Sequence, residues 1–271
     1  MVKKLFLILF CSGIVFANSV TYSIISILGP QEFQRNERFI NKVFAKEENF
    51  LNGKGEPNLY KISQALKANG LLSLTFGVPK ELLVEFEIKE NPLVFMNALY
   101  EVLRAMGYYY YLIKESQIDE KGYRFILSMN TEYAIDPVIL QEKLKEYGYE
   151  ANLIERKSLQ EWKYSFKNVE FKYPKATQLL LNESKFMANL AGEYWYQCEG
   201  GNKLILESAN GAKWFPKIVF FDKFMNIIEV EETKESVQKL EVTLPKEVKF
   251  IKVSDTFLPI NIKNGLNVIM Q

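Results

Sequence analysis

An α+β chain of two units is predicted: a ferredoxin-like αβ module built from αββ repeats, followed by a C-terminal β-sandwich of jelly-roll or Ig-like type. Three observations lead there. A helix–glycine–strand–strand pattern recurs three times between residues 58 and 170. From residue 192 onward, short period-two runs separated by turn residues replace helical spacing. Hydrophobic residues make up 48% of 271 residues, enough for two buried cores.

The chain opens with Lys3 and Lys4, then an apolar run over residues 5–16, then Ala17. This charged, apolar, small-residue order is that of a secretory signal peptide. The run is shorter than the roughly 20 residues that a permanent span needs. Residues 1–17 are therefore expected to be removed on export, leaving a periplasmic chain that begins near Asn18 and keeps no permanent transmembrane helix. Retention as an anchor is the alternative, since residues 20–28 are also fairly apolar. Cys11 lies in the middle of the run behind Ile8-Leu9-Phe10, a poor setting for lipid attachment. Residues 18–57 read as an N-terminal helical segment, with a helix over 32–51 and a loop over 52–57.

The αβ domain is placed at 58–170. Asn58, Asn91 and Asp136 each open a helix, as residues able to accept hydrogen bonds from its free N–H groups. Pro92 and Pro137 follow two of them, where a missing donor costs nothing. Gly70, Gly107 and Gly148 close the helices. Between these marks Leu59, Ile62 and Leu66, then Phe95, Leu99, Val102 and Met106, then Val138, Leu140 and Leu144 fall on single helical stripes. Strands are expected at 71–76, 108–113 and 149–154 directly after each glycine. A second strand follows each: Leu82 to Ile88, Tyr123 to Met129 and Trp162 to Phe166, all alternating.

Read from residue 82 to 156, the order is strand, helix, strand, strand, helix, strand, the split βαβ arrangement of a ferredoxin-like core. That element order is similar to the small αβ modules of envelope ring and secretin-type proteins. The resemblance implies a setting in secretion or flagellar-motor accessory structures, and it rests on no residue motif.

The β-sandwich is placed at 175–271, with a short helix over 176–191. Strands are expected at 193–199, 203–207, 217–221, 226–231, 239–244, 249–253, 259–262 and 266–270. Gly200-Gly201-Asn202, Asn210-Gly211, Pro245 and Asn264-Gly265 punctuate them.

Composition narrows function by exclusion. There is no histidine, so the usual catalytic triads and zinc hydrolase sites cannot be built. Thirty-four Lys+Arg balance thirty-three Asp+Glu, without the basic stripe that nucleic acid requires. Once residues 1–17 leave, Cys198 stands alone and reads as a small buried hydrophobe. Ser63 and Lys67 are spaced Ser-x-x-x-Lys, not the Ser-x-x-Lys of penicillin-binding enzymes. No cofactor, metal or catalytic set is expected.

The remaining candidates are aromatic. Tyr108-Tyr109-Tyr110-Tyr111, as a strand, would turn two rings to each side, giving Tyr109 and Tyr111 one face. In the second unit, Trp195, Tyr196 and Trp214 could stack on sugar rings. The expected role is a non-catalytic, exported structural or interaction protein whose partners are other envelope proteins. A peptidoglycan or glycan module acting through the C-terminal aromatics is the alternative. A carboxylate-dependent cell-wall hydrolase is third; it would need two carboxylates about 5–9 Å apart in a cleft, and Glu229, Glu231 and Glu232 are its nearest cluster.

Overall fold

A computed structural model describes residues 19–120 and 122–271. The signal peptide expected at residues 1–17 lies outside them. The described residues form a mixed α+β structure, mostly sheet, with five α-helices and fourteen strands in three sheets. None of the described helices is long and apolar enough to cross a membrane. The chain divides into two compact units, one ending at Glu170 and the other spanning Phe171–Gln271.

The first unit runs α1 (Val20–Leu28), α2 (Pro30–Val43), a 3-10 turn (Glu47–Phe50), α3 (Leu59–Ala68), β1 (Thr75–Ile88), α4 (Pro92–Ala105), β2 (Leu112–Asp119), β3 (Gly122–Tyr133), α5 (Pro137–Glu146), β4 (Tyr149–Arg156) and β5 (Glu161–Asn168). Helix α1 starts at Ser19, whose side chain accepts from the Tyr22 N–H at 3.0 Å. Its Val20, Ile24, Ile27 and Leu28 are buried in the same cluster as the sheet's inward side chains. Ser26 Oγ donates to the Ile154 carbonyl at 2.7 Å, fastening α1 to β4. Residues 20–28 are thus an integral layer of the αβ core. Helix α2 stops at Val43, short of the expected residue 51, and a 3-10 turn replaces its last part.

Asn58 and Asp136 cap as expected, accepting from Lys61 N and Val138 N at 3.0 and 2.9 Å. Asn91 does not. It sits at φ 48° with no side-chain cap, and its backbone carbonyl takes the Val94 and Phe95 N–H groups instead.

The strands expected straight after two of the glycines are absent, and the caps explain it. Leu71 N–H bonds back to Leu66 O at 2.9 Å, and Tyr108 N–H to Leu103 O at 2.9 Å. Each closes the preceding helix in the six-to-one pattern of a Schellman cap, which takes the donor that a ladder would need. Residues 71–74 and 108–111 are consequently loops. The first repeat then contains one long strand, β1, in place of two. Only after Gly148 does the chain enter a strand at once.

The sheet order is β2-β3-β1-β5-β4. A four-strand ferredoxin-like core would set β4 directly beside β1. Here β5 takes that position, parallel to β1 with Phe86 opposite Tyr164, and β4 pairs beyond it. The short β4–β5 link makes a hairpin that enters as a unit. Phe86 stacks between Phe125 and Tyr164 at 5.4 and 5.7 Å, and Phe95 of α4 meets Tyr149 at 5.0 Å and Phe166 at 5.5 Å.

The other sheet face is a charge ladder around Glu85. Its carboxylate faces Lys157 at 2.8 Å, Lys163 at 3.3 Å and Arg124 at 4.0 Å, while Lys163 also reaches Glu87 at 2.7 Å. Burial opposes ionisation of Glu85, but the Lys157 hydrogen bond and the Lys163 charge outweigh it and hold the carboxyl below its ordinary 4.5. A depressed carboxyl contributes stability that is full above the unfolded value and is lost as pH falls through the folded one. Glu85→Gln should therefore cost about 1–2 kcal/mol at pH 7, discounted because both lysines reach water. The penalty should begin to shrink as pH falls past 4.5 and be gone only once the folded carboxyl, held lower still, is itself protonated, measured as the difference in urea midpoints across pH. An undiminished penalty in acid would contradict the charge account.

The second unit contains β6 (Thr177–Gln178), β7 (Ser184–Met187), β8 (Glu193–Gln197), β9 (Lys203–Ser208), β10 (Pro216–Phe221), β11 (Ile227–Glu232), β12 (Lys239–Thr243), β13 (Phe250–Asp255) and β14 (Leu266–Met270). They form sheets of order β11-β10-β13-β8-β6 and β12-β9-β14-β7. Tyr194, Tyr196, Ile218, Phe220, Ile251 and Val253 from one sheet share a buried cluster with Leu204, Leu206, Leu266, Val268 and Met270 from the other.

The helix expected over 176–191 is replaced by β6, β7 and turns. Leu179 N–H bonds to Gln197 O at 2.8 Å and Asn182 N–H to Met270 O at 2.7 Å, so pairing to open sheet edges overrides a segment rich in the good helix formers Ala, Leu, Gln, Glu, Lys and Met. Residues 259–262 form a 3-10 turn rather than a strand. Asp255 organises the preceding bend, accepting from Phe257 N, Leu258 N and Asn261 Nδ2 at 2.8, 2.7 and 3.0 Å.

Candidate functional site

The tyrosine quartet is not a strand, so it does not alternate. Tyr109 and Tyr110 are 64% and 91% exposed, while Tyr108 and Tyr111 pack partly against the core. Tyr108 donates to Ala134 O at 3.4 Å, and burial, with Asp136 nearby, pushes its hydroxyl up to about 12. Burial likewise raises Tyr111, with Tyr100 adding to it. Of the two tyrosines expected to share a face, only Tyr109 is freely presented, and its exposed companion is Tyr110. Tyr108, Tyr109 and Tyr110 line a shallow pocket of about 330 Å³ with Met106, Met129 and Tyr133.

The quartet leads into β2, the last strand of its sheet. Every residue of β2 is exposed on both faces, including Leu112 at 67%, Ile113 at 55% and Ile118 at 72%. Helix α4 covers Phe125 on β3 and leaves the neighbouring β2 side chains bare. These residues were missed as candidates. The available signal is that Leu-Ile-Lys-Glu-Ser-Gln-Ile lacks the period-two pattern of a half-buried strand.

Trp195, Tyr196 and Trp214 separate in the structure. Tyr196 and Trp214 are fully buried, so neither offers a ring to a ligand. Trp195 faces outward on β8. Its Nε1 donates to Glu193 Oε1 at 2.8 Å, Tyr173 and Phe221 flank its ring at 4.7 and 5.3 Å, and Lys252 Nζ lies 5.5 Å over it. A pocket of about 350 Å³ opens beside it, lined also by Met187, Asn189 and Glu193.

The largest described pocket, about 450 Å³, lies among α1, α3, α5 and β4. Tyr22, Ser26, Asn52, Tyr60, Gln141 and Lys167 are among its lining, drawn from segments too far apart in sequence to read as one site.

Reactive groups are otherwise occupied. Ser63 is fully buried and accepts from Gln141 Nε2 at 3.4 Å, while Lys67 pairs with Asp136. Cys198 is buried, and that burial pushes its thiol up to about 11. Glu229 and Glu231 share a face of β11, where burial and then the Glu229 charge raise Glu231. None of the three pockets described is lined by them. No group of three or more His, Cys, Asp or Glu placed to hold a metal occurs among the described residues.

No protein-family model matches the chain, and no curated protein matches it in sequence. Two solved structures are similar in part. One is the crystal structure of accessory secretory protein 1, 2 and 3 in Streptococcus pneumoniae, at 13% identity and TM-score 0.21, covering 38% of this chain and 90% of that one. The other is the Glycosylation Associate Protein (Gap123) complex from Streptococcus agalactiae, at 16% identity and TM-score 0.20, covering 37% of this chain and 41% of that one. Both TM-scores are far below the level of a shared fold.

Proposed function

We propose that this is an exported, periplasmic, non-catalytic protein that works by contact with other envelope proteins, as a scaffold or accessory part of a secretion or flagellar-motor assembly. In this reading the five-stranded αβ unit is a docking module and the two-sheet unit a β-sandwich. The observation that carries it is β2: an eight-residue sheet edge whose apolar side chains are uncovered, with Tyr109 and Tyr110 beside it. Natural proteins blunt such edges unless a partner covers them. Export is the part carried by the sequence alone.

The test is site-specific photo-crosslinking in living cells. A photoreactive residue at Tyr110 or Ile118 should give discrete adducts with envelope proteins, whereas one at Lys143, on a helix away from this edge, should not. Equal labelling at all three positions would refute a specific docking edge.

A second reading is favoured by Trp195, whose outward, partly buried ring, with Tyr173, Asn189 and Glu193, lines a pocket suited to a glycan. Co-sedimentation with peptidoglycan sacculi, lost in Trp195→Ala, would support it. Sacculus turnover lost in Glu231→Gln would instead bring back the hydrolase.

A further inference from the structure

We propose that two copies of this chain pair edge to edge through β2, antiparallel about a two-fold axis at Ser116, joining two five-stranded sheets into one of ten strands. The inference rests on the protein-contact reading above and names the partner.

The argument starts from register. On its inner side β2 pairs with β3 through Ile113↔Leu127, Glu115↔Ile126, Ser116↔Phe125, Gln117↔Arg124 and Ile118↔Tyr123, so Lys114 is the extra residue of a bulge. Ile113, Ser116 and Ile118 therefore share the helix-side face, and Leu112, Glu115 and Gln117 share the other. Lys114 reaches Glu81 at 3.3 Å on the charge-ladder side. The charge that would guard this edge is thereby drawn to one face.

A second β2 must match face to face, because a one-residue slip inverts every side chain. With the same bulge on both copies, an axis at Ser116 sets Ile113 against Ile118 of the second copy, twice by symmetry. It also sets Glu115 against Gln117 and Ser116 against itself. No like charges oppose one another. An axis at Gln117 would put Glu115 opposite Asp119, and an axis at Glu115 would put that carboxylate against itself. Of the axes at Glu115, Ser116 and Gln117, that at Ser116 alone opposes no like charges; an axis at Ile118 also avoids them but leaves Ile113 without an apolar partner, so Ser116 combines apolar and charge complementarity, as a two-fold interface needs. The exposed edge β11 lacks it: pairing about Val230 would oppose Glu229 and Glu231.

The test uses the full exported chain. Sedimentation equilibrium should show a reversible dimer that Ile118→Lys weakens about tenfold or more, since the change enters the interface twice. On a Cys198→Ser background, Ser116→Cys should form an intermolecular disulfide under mild oxidation, and Ser158→Cys, exposed in the β4–β5 loop, should not. A dimer unaffected by Ile118→Lys and uncrosslinked at residue 116 would overturn the inference. A monomer that still photo-crosslinks other envelope proteins through β2 would overturn the second-copy partner and leave the contact reading standing. A monomer without β2 adducts would overturn both.

Discussion

Gly192→Ala is expected to unfold the C-terminal unit at denaturant concentrations where the αβ unit stays native. Gly192 sits at φ 61°, and a Cβ there would stand 1.9 Å from the Pro259 carbonyl oxygen and 2.5 Å from its carbon. Both are backbone atoms, so no side chain can swing aside. The site is also where β8 is aimed. Gly192 N–H bonds to Asn189 O at 2.8 Å, and Asn189 Nδ2 returns to Glu193 O at 2.6 Å. Two residues on, Tyr194 donates to Ile262 O at 2.5 Å, tying β8 to the same 259–262 turn that the new methyl would push away. Left-handed strain and overpacking each contribute about 1–3 kcal/mol, so a loss of about 3 kcal/mol or more is expected. Gly53→Ala, with open space around it and no positive φ, serves as control and should change little. The two units require separate probes, because two transitions cannot be read as one. If Gly192→Ala matched Gly53→Ala in urea, the packing of the 259–262 turn would be wrong.

The parts of this fold legible from sequence are those decided within a few residues. Asn58 and Asp136 cap because a short polar side chain reaches the N–H groups one turn ahead. Residues 266–270 form a strand with the expected limits because alternation and the preceding Asn-Gly turn agree. What escaped was decided elsewhere in the chain. Tyr108 looks like the start of a strand until its N–H is required to close α4. The place of β5 between β1 and β4 depends on a hairpin inserting as a unit, which no local pattern records. Residues 176–191 are rich in helix formers, yet sheet edges at β8 and β14 hold two of their N–H groups.

The candidate residues follow the same division. An aromatic in a β-rich chain states that a large surface must go somewhere, not whether it goes inward. Tyr194, Trp195 and Tyr196 alternate inward, outward, inward, so alternation fixed two relative orientations and left the absolute one open. Only packing against the second sheet turned Tyr196 into core. For β2 the sequence contained the clue, a strand with apolar residues and no clean period. Its meaning depends on α4, which covers β3 and stops short of β2.

Trp214 shows how the core reading can be measured apart from the binding one. Its ring is fully buried, its backbone pairs with Val237, and its Nε1–H lacks a hydrogen-bond partner. Trp214→Ala removes a large buried ring and should cost about 3–5 kcal/mol. Trp214→Phe also loses volume, but it deletes the orphaned donor, whose burial carries a penalty of about 1–3 kcal/mol. The two effects oppose, so the phenylalanine variant should lie within about 1 kcal/mol of the parent, well short of the alanine loss. Urea unfolding of both variants, followed by near-ultraviolet circular dichroism, makes the comparison. The outward Trp195 should behave differently: with a partly buried ring, Trp195→Ala should lose about 1 kcal/mol from its stacking on Tyr173 and Phe221. If Trp214→Ala were as mild as Trp195→Ala, the indole would not be holding the two sheets together and could again be available as a contact surface. If Trp214→Phe were as costly as Trp214→Ala, the Nε1–H would have a partner after all. A large alanine loss beside a small phenylalanine loss is the result that a dry, apolar seat between two sheets requires.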